Sequence, residues 1–249
     1  MNNLGTAMSR PLEDKTVIVI GGGTGIGAGI ARAMVAAGAR VHLGGRRPEP
    51  LFELAQTLGS AVTYGQIDVA DYDSTCGFFD AATAGKAVDV VVNSAGINVS
   101  PRTLTDVSVD DWRRLLDINA TGAFHVMKAC VPAMVERGDG LVVTVSSIAG
   151  RRSLELAGVG YCASKFAVSS LSTYAGLELA DSGVRFTAIY PGEVETPILD
   201  QRPEPVSKER RAAMLQPSDV GDAVVMIASL PPRANVSELT IKPTVQRFA

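Results

Sequence analysis

The sequence of 249 residues holds little of what disulfide-bonded and metal-binding proteins use, with only 3 cysteines and 2 histidines. Cys76, Cys130 and Cys162 form no Cys-x-x-Cys pair and therefore indicate no disulfide framework. His42 and His125 have no aspartate, glutamate or cysteine at metal-ligand spacing. We therefore predict no metal site and no catalytic triad built on histidine.

Strong charge and long apolar runs are also missing. The net charge at pH 7 is -3, which gives no electrostatic reason to expect a nucleic-acid partner. No apolar run approaches the roughly 20 residues of a membrane span, so no membrane partner is expected. Residues 1–13 lack the apolar core of a signal peptide, and we expect a disordered lead-in and a cytoplasmic location.

Residues 14–249 instead show a regular alternation of apolar runs and helical segments. The predicted strands are 17–20, 41–43, 61–69, 88–93, 141–146, 184–190 and 239–242. The predicted helices are 27–37, 50–58, 74–82, 108–137 with an adjustment near Asn119, 160–181 and 217–230. This order predicts a single α/β domain, a Rossmann-type doubly wound parallel sheet of about seven strands with helices on both faces. The polar segment 197–216 is the predicted substrate lid.

A glycine-rich loop follows the first strand directly and opens the first helix. Glycines permit a sharp turn and a close backbone approach to a diphosphate, and the helix N-terminus supplies NH groups. The common pattern G-x-G-x-x-G/A is met only in its alanine form, by Gly23, Gly25 and Ala28. A plain turn is the alternative, but the position favours nucleotide binding. The loop residues predicted to bind the nucleotide are Gly21, Gly23, Thr24, Gly25, Ile26 and Gly27.

The second predicted strand ends without an acid. Dinucleotide folds that prefer NAD place an aspartate or glutamate about 20 residues after the glycine loop, on the ribose 2′-hydroxyl. Here Arg46 and Arg47 follow the strand instead. Because guanidinium groups pair well with phosphate, the sequence predicts NADP(H) as the ligand, with a solvated surface pair as the alternative.

Tyr161 and Lys165 stand four residues apart in a predicted helix, which places both side chains on one face. An ammonium beside a phenol favours the phenolate, so we expect the pKa of Tyr161 to lie below its usual value of about 10. Such a pair can give or take a proton at an oxygen near neutral pH. The alternative is a half-buried tyrosine beside a solvated lysine.

Further short motifs follow one another along the chain. Ser-Ser-x-x-Gly occupies 146–150, Tyr-x-Ala-Ser-Lys occupies 161–165, and Pro-Gly-x-Val-x-Thr occupies 191–196. An Asn-Ser-Ala-Gly strand end at 93–96 replaces the more usual Asn-Asn-Ala-Gly, and Ile20 stands where a threonine is usual before the glycine loop. In this order and spacing, nearly the whole chain resembles the short-chain dehydrogenase/reductase superfamily.

The resemblance implies a role for each motif residue. Tyr161 would be the general acid/base on the substrate oxygen, and Lys165 would lower the pKa of the phenol and bond the nicotinamide ribose. Ser147, rather than Ser146, would hold the substrate oxygen, and Asn119 would anchor a water-linked proton relay. The alternatives are a strand-end cap for Ser147 and a polar helix kink for Asn119. The further cofactor-binding residues that the resemblance implies are Asp68, Val69, Asn93, Ala95, Gly96, Pro191, Gly192, Val194 and Thr196.

By the same resemblance the chain is predicted to be an enzyme acting on CH–OH donors, an NADP(H)-dependent oxidoreductase that interconverts an alcohol and a carbonyl. The C-terminal residues 235–244 lack the Asp-Gly-Gly ending common in ketoacyl reductases. That difference favours a small hydroxy acid, a 3-hydroxy amino acid or a simple ketone as substrate. The alternatives are a 3-oxoacyl-(acyl-carrier-protein) reductase and a non-catalytic NADP(H)-sensing regulator.

Substrate choice is assigned to the loops 98–106 and 151–159 and to the lid. Basic side chains there would suit a carboxylate or phosphate, although solvated surface charges are the favoured interpretation. They are Arg151, Arg152, Arg202, Lys208, Arg210 and Arg211. The resemblance also implies a homodimer or homotetramer formed through the two long central helices.

Overall fold

The computed structural model describes residues 10–201 and 205–247. Within these residues, seven strands form one sheet in the order β3-β2-β1-β4-β5-β6-β7, and every neighbouring pair is parallel. The strands are β1 Thr16–Ile20, β2 Arg40–Gly45, β3 Val62–Gln66, β4 Val90–Asn93, β5 Gly140–Val145, β6 Val184–Pro191 and β7 Glu238–Ile241. The predicted Rossmann-type parallel sheet is confirmed.

Helices connect the strands in the alternating order that the sequence predicts. They are α1 Gly25–Ala36, α2 Pro48–Leu58, α3 Tyr72–Thr83, α4 Val109–Leu115, α5 Gly122–Arg137, α6 Val159–Glu178, α7 Lys208–Ala212 and α8 Pro217–Ala228. A π-helical segment, Leu116–Thr121, joins α4 to α5. The adjustment predicted near Asn119 is therefore confirmed. None of these helices, nor any other in the described residues, is long and apolar enough to cross a membrane.

The sheet separates two apolar cores because successive strand residues point to opposite faces. In β1, Val17 and Val19 pack with residues of α1, α2 and α8. Ile18 and Ile20 pack on the other face with residues of α3, α5 and α6. All four side chains are buried. Helices therefore cover both faces, and the crevice for a ligand lies at the carboxyl ends of the strands, where the order reverses between β1 and β4.

Side chains at the helix starts account for several of the boundaries. Asp71 accepts a hydrogen bond from the NH of Ser74 at 2.9 Å before α3, and Ser108 accepts one from the NH of Asp111 at 3.0 Å before α4. Caps of this kind stabilise a helix by about 1 kcal/mol. Gly138 ends α5 in the left-handed conformation, at φ +72°.

The start of the folded part differs from the prediction. Residues 11–14 form a turn instead of belonging to the disordered lead-in predicted for 1–13. Leu12 is only 1% exposed, and its NH donates to the carbonyl of Ala37 at 3.0 Å. The buried Leu12 side chain and this hydrogen bond hold the turn against the end of α1. Residues 1–9 of the predicted lead-in lie outside the described residues.

Two further segments differ in detail from the predicted strand 61–69 and the predicted lid. The predicted strand 61–69 is shorter as β3, because residues 67–69 leave the sheet in a turn where Asp68 accepts from the NH of Ala70 at 3.0 Å. The described parts of the predicted lid form a 3-10 turn, Pro197–Gln201, and the short helix α7. Arg202 lies outside the described residues.

Candidate active site

A cavity of about 890 Å³ opens at the carboxyl ends of the strands. It brings together segments that are far apart in sequence, from the glycine loop to the end of β6. The predicted site residues that line it are Gly21, Gly23, Thr24, Gly25, Ile26, Arg46, Arg47, Val69, Ala95, Gly96, Ser147, Tyr161, Lys165, Pro191, Gly192, Val194 and Thr196. Gly27, Asp68, Asn93 and Asn119 were also predicted for the site, but they do not line the cavity.

The glycine loop is held in a shape that only glycine adopts without strain. Gly21 and Gly25 have φ values of +74° and +54°. The NH of Gly21 donates to the carbonyl of Gly44 at 2.8 Å, which fixes the turn against β2. A Cβ on Gly27 would lie 2.1 Å from the carbonyl oxygen of Gly21. Gly27 therefore keeps the loop closed against α1, and the start of that helix faces the cavity.

The end of β2 places cations at one end of the cavity. Gly44 and Gly45 finish the strand, and the exposed side chains of Arg46 and Arg47 follow at the cavity wall. The carbonyl of Arg46 accepts a hydrogen bond from Nε2 of Gln66 at 2.9 Å, which anchors this corner to β3. The donor set at this corner, two guanidinium groups and no acid between them and the strand, fits a phosphate.

Three predicted cofactor residues support the cavity from outside its lining. Asp68 accepts from the NH of Ala70, so its carboxylate caps the turn after β3. Asn93 is buried and accepts from the NH of Ala95 at 3.1 Å. Gly27 supports the cavity by letting the backbone of the glycine loop pack closely against the start of α1. These contacts shape the backbone that lines the cavity.

Asn119 lies in the π-helical segment and is 1% exposed. Its Oδ1 accepts from the NH of Ile97 at 2.8 Å, and its Nδ2 donates to the carbonyl of Ile97 at 3.0 Å and to Oγ of Ser164 at 2.9 Å. The side chain thereby ties the loop after β4 to α6. Asn119 therefore does more than interrupt the helix with a polar side chain, because its hydrogen bonds hold two walls of the cavity together.

Neighbouring serines at the end of β5 have different surroundings. Ser147 lines the cavity, faces the phenol of Tyr161, and caps the next turn by accepting from the NH of Ala149 at 3.1 Å. Ser146 is buried and donates to the main-chain carbonyl of Lys165 at 3.0 Å. Oγ of Ser169 lies 3.0 Å from Oγ of Ser146 and also donates to the carbonyl of Lys165, at 2.8 Å. Ser146 therefore binds backbone, while Ser147 is placed beside the phenol.

Tyr161 and Lys165 lie on one face of α6, as the spacing predicts. Lys165 is buried, 4% exposed, and its ammonium donates to the carbonyl of Val145 at 3.0 Å. Burial lowers the pKa of Lys165 to about 8. The alternative of a solvated lysine is therefore wrong.

The pKa of Tyr161 moves in the opposite direction from the one expected. Burial raises it to about 12, although a hydrogen bond with Ser147 and the charge of Arg102 partly oppose this rise. Desolvation of the phenolate outweighs the neighbouring charges. The expected lowering of the pKa by Lys165 is wrong for this structure, and the phenol is protonated at neutral pH.

Two basic side chains of the lid, those of Arg210 and Arg211, bind acids of the same chain. Arg210 pairs with Glu193 at 2.9 Å, and Arg211 pairs with Glu195 at 2.9 Å. Arg211 also pairs with Asp200. These ion pairs fasten α7 to the segment after β6, which agrees with the interpretation that these charges are not substrate ligands.

A substrate wall formed by two loops was predicted only as segments, without naming its residues. Nδ2 of Asn98 donates to the carbonyl of Ala157 at 3.1 Å, and Nη1 of Arg102 donates to the carbonyl of Leu156 at 3.1 Å. These four residues, with Leu154, line the cavity. Loops more than 50 residues apart meet here, and no periodicity in the sequence signals such a contact. Among the residues that the structure describes, no group of histidine, cysteine or acidic side chains could hold a metal ion.

Comparison with known proteins agrees with this geometry. A family model described as short chain dehydrogenase matches residues 15–206. A 3-alpha-(or 20-beta)-hydroxysteroid dehydrogenase of Mycobacterium tuberculosis is 39% identical over 227 residues, which are 89% of this chain and 85% of that protein.

Solved structures also match nearly the full chain. The closed form of serine dehydrogenase complexed with NADP+ is 30% identical with a TM-score of 0.85, covering 94% of this chain and 97% of that chain. An alcohol dehydrogenase from the archaeon Thermococcus sibiricus, complexed with 5-hydroxy-NADP, is 28% identical with a TM-score of 0.85, covering 95% of this chain and 100% of that chain. The chain therefore belongs to the short-chain dehydrogenase/reductase family of oxidoreductases.

Proposed function

We propose that this protein is an NADP(H)-dependent oxidoreductase that interconverts an alcohol and a carbonyl. The observation that carries the proposal is the meeting of Ser147, Tyr161 and Lys165 in one cavity with the glycine loop and the Arg46–Arg47 corner. The names of the similar proteins point the same way, since all three are dehydrogenases and two were solved with NADP+ or a derivative of it.

The chain's own residues fit a dinucleotide that carries a 2′-phosphate. The NH groups of the glycine loop and the start of α1 would bind the diphosphate. Arg46 and Arg47 would pair with the 2′-phosphate, while Asp68, Val69, Asn93, Ala95 and Gly96 would shape the adenosine and ribose walls. Pro191, Gly192, Val194 and Thr196 would hold the nicotinamide end. When bound, the dinucleotide supplies or accepts the hydride.

Proton transfer is assigned to Tyr161. Its raised pKa keeps the hydroxyl protonated at neutral pH, which is the state that donates a proton to the oxygen of a carbonyl being reduced. Ser147, beside the phenol, would hold that oxygen in place. Lys165, with a pKa of about 8, carries a positive charge at neutral pH and would bind the nicotinamide ribose. Asn119 would anchor the proton relay by holding the loop after β4 against α6.

The wall residues bear on the polarity of the substrate. Leu154, Leu156 and Ile198 are exposed apolar side chains that line the cavity. An exposed apolar lip of this kind favours a substrate with an apolar body. The hydroxysteroid named for the 39% identical relative would be one such molecule, alongside the small hydroxy acid, 3-hydroxy amino acid or simple ketone that the sequence favours.

A spectrophotometric screen at 340 nm tests this function directly. Purified protein is offered NADPH with ketones, oxo acids, steroid ketones and 3-oxoacyl thioesters, and NADP+ with the matching alcohols, hydroxy acids and 3-hydroxy amino acids. We expect turnover of at least one pair, faster with NADP(H) than with NAD(H). Binding of NADPH without turnover of any member would instead support the sensing regulator.

A second copy of the chain is the proposed partner. The long helices α5 and α6 carry exposed apolar side chains, among them Phe124, Val135, Phe166, Tyr174 and Leu177. Burial of these side chains between copies would form the homodimer or homotetramer. Light scattering coupled to size exclusion should show such a species, and Phe166→Glu should shift it towards the monomer. A wild-type monomer at micromolar concentration would contradict this assembly. The cytoplasmic location stays a prediction.

A further inference from the structure

The charges that line the cavity are strongly one-sided. Among the described lining residues, the cations are Arg46, Arg47, Arg102, Arg114 and Lys165, and the acid is Glu193. That acid pairs with Arg210 at 2.9 Å. A cavity with cationic walls favours an anionic ligand, because the low-dielectric surroundings focus the field.

These cations divide by position. Arg46 and Arg47 stand at the end of β2, where the cofactor phosphate is proposed, and Lys165 lies beside the phenol. Arg102 belongs to the loop after β4 and is bonded to Leu156 of the apolar lip, and Arg114 belongs to α4. The proposed cofactor binding and proton transfer therefore use the other three cations and assign nothing to Arg102 and Arg114.

Arg102 is the better placed of this pair. It is only 9% exposed, whereas Arg114 is an exposed side chain. The carbonyl of Arg102 accepts from the NH of Val159 at 3.2 Å. Val159 is the first residue of α6 and lies two residues before Tyr161. Its charge acts on the phenol of Tyr161. A buried arginine thus lines the same cavity as the phenol of Tyr161.

The same side chain is fixed in place by its loop partners. Nη1 of Arg102 donates to the carbonyl of Leu156, a residue of the apolar lip, at 3.1 Å. A Cβ on Gly158 would lie 2.6 Å from Cβ of Arg102, so the glycine lets the two loops close together. A planar guanidinium with five donors recognises a carboxylate well when it is held in one orientation.

We propose that Arg102 is a specificity-determining residue that binds a carboxylate on the substrate. The preferred substrate is then an oxo acid or hydroxy acid that carries an apolar body against Leu154, Leu156 and Ile198. This inference rests on the proposed function, and it adds the chemical class of the substrate and the residue that selects it.

Matched acids and esters test this assignment in the purified full-length protein. The probes are benzoylformate, 3-benzoylpropionate and 4-benzoylbutyrate, each with its methyl ester, reduced with NADPH. They share the aryl ketone and differ in the charge and in its distance from the carbonyl. For at least one chain length we expect kcat/KM of the acid to exceed that of the ester by about tenfold or more, as a charge-assisted hydrogen bond implies.

Variants of the arginine assign that preference to a residue. Arg102→Met should bring the acid-to-ester ratio to within about twofold of one, mainly by raising KM for the acid. Arg102→Lys should keep part of the ratio. Arg113→Met is the control, because Arg113 is an exposed arginine of α4 that does not line the cavity. It should keep the wild-type ratio.

The possible failures can be told apart. A wild-type ratio near one for all three pairs, or an equal loss for acid and ester in Arg102→Met, would overturn the role of Arg102 and leave the proposed function standing. Absence of wild-type turnover on every ketone and alcohol would overturn both. Folding of each variant is checked by its melting curve and by NADPH fluorescence. If Arg102→Met does not fold, the wild-type ratio and Arg102→Lys decide.

Discussion

The ammonium nitrogen of Lys165 lies 5.6 Å from the centre of the Tyr161 ring, and it donates to the carbonyl of Val145 at 3.0 Å. The lysine therefore places its charge over the face of the ring and donates its hydrogen bond to the carbonyl at the end of β5. This arrangement fixes α6 against the sheet at the point where the phenol enters the cavity. Lys165 thus combines a structural hydrogen bond with a charge near the phenol, and the charge depends on the proton it carries.

The pH dependence of carbonyl reduction should report that proton. Because the pKa of Lys165 is about 8 and that of Tyr161 is about 12, the phenol stays protonated while the lysine loses its charge. We expect kcat/KM for reduction with NADPH to fall as pH rises above about 8. Lys165→Arg, which keeps its charge, should lose this fall even if its activity is lower. A wild-type profile that is flat from pH 7 to 9.5 would contradict the assignment.

Stability should depend on pH through the same lysine. Its ordinary pKa is 10.5 and its folded pKa is about 8, so between these values the unfolded chain binds more protons than the folded one. Stability therefore rises with pH in this window. The opposite contribution of Tyr161 begins only above its ordinary pKa of 10.0. Urea midpoints measured from pH 8 to 10 should rise for the wild type relative to Lys165→Met, and parallel curves for the two proteins would count against a buried ammonium.

Alanine variants of the two serines at the end of β5 should differ, one losing activity and the other losing stability. Ser147→Ala removes the hydroxyl beside the phenol, and we expect kcat to fall by about 100-fold or more with little change in melting temperature. Ser146→Ala removes a buried bond to the carbonyl of Lys165, so we expect a mild loss of activity and about 1 kcal/mol less stability. Steady-state kinetics and urea unfolding of both variants check this. Exchanged phenotypes would place the active serine one residue earlier.

The arginine corner should decide the choice of cofactor. Arg46→Asp replaces a phosphate-binding cation with a carboxylate that suits a ribose hydroxyl and repels phosphate. We expect KM for NADPH to rise by about tenfold or more, while KM for NADH changes about twofold or less. Arg40→Asp, at the opposite end of β2, is the control and should leave both constants unchanged. Equal effects of Arg46→Asp on the two cofactors would remove Arg46 from the 2′-phosphate site.

Local patterns account for much of what could be predicted. The apolar run 17–20 and the glycine loop after it are local patterns that predict the strand β1 and the turn that follows. The four-residue spacing of Tyr161 and Lys165 likewise predicts that both side chains lie on one face of a helix. The parallel sheet follows from these elements and their order. Motif order then predicts which segments meet at the cavity.

Contacts between distant segments account for what could not be predicted. The burial of Leu12 depends on the position of α1, and the wall formed by Arg102 and Leu156 depends on two loops that meet only after folding. The direction of the pKa shift of Tyr161 is of the same kind. Sequence spacing identifies its charged neighbour, but the depth of burial, which decides the sign, belongs to the folded chain.

Single-turnover reduction by Tyr161→Phe tests the central claim most directly. The substitution removes only the hydroxyl that is proposed to donate the proton, so the ring still packs and the cavity keeps its shape. We expect the rate of NADPH oxidation with a productive carbonyl to fall by about 1,000-fold or more, within the range for a lost general acid, while the Kd for NADPH changes little. A variant that binds NADPH normally and reduces the carbonyl at the wild-type rate would contradict the account.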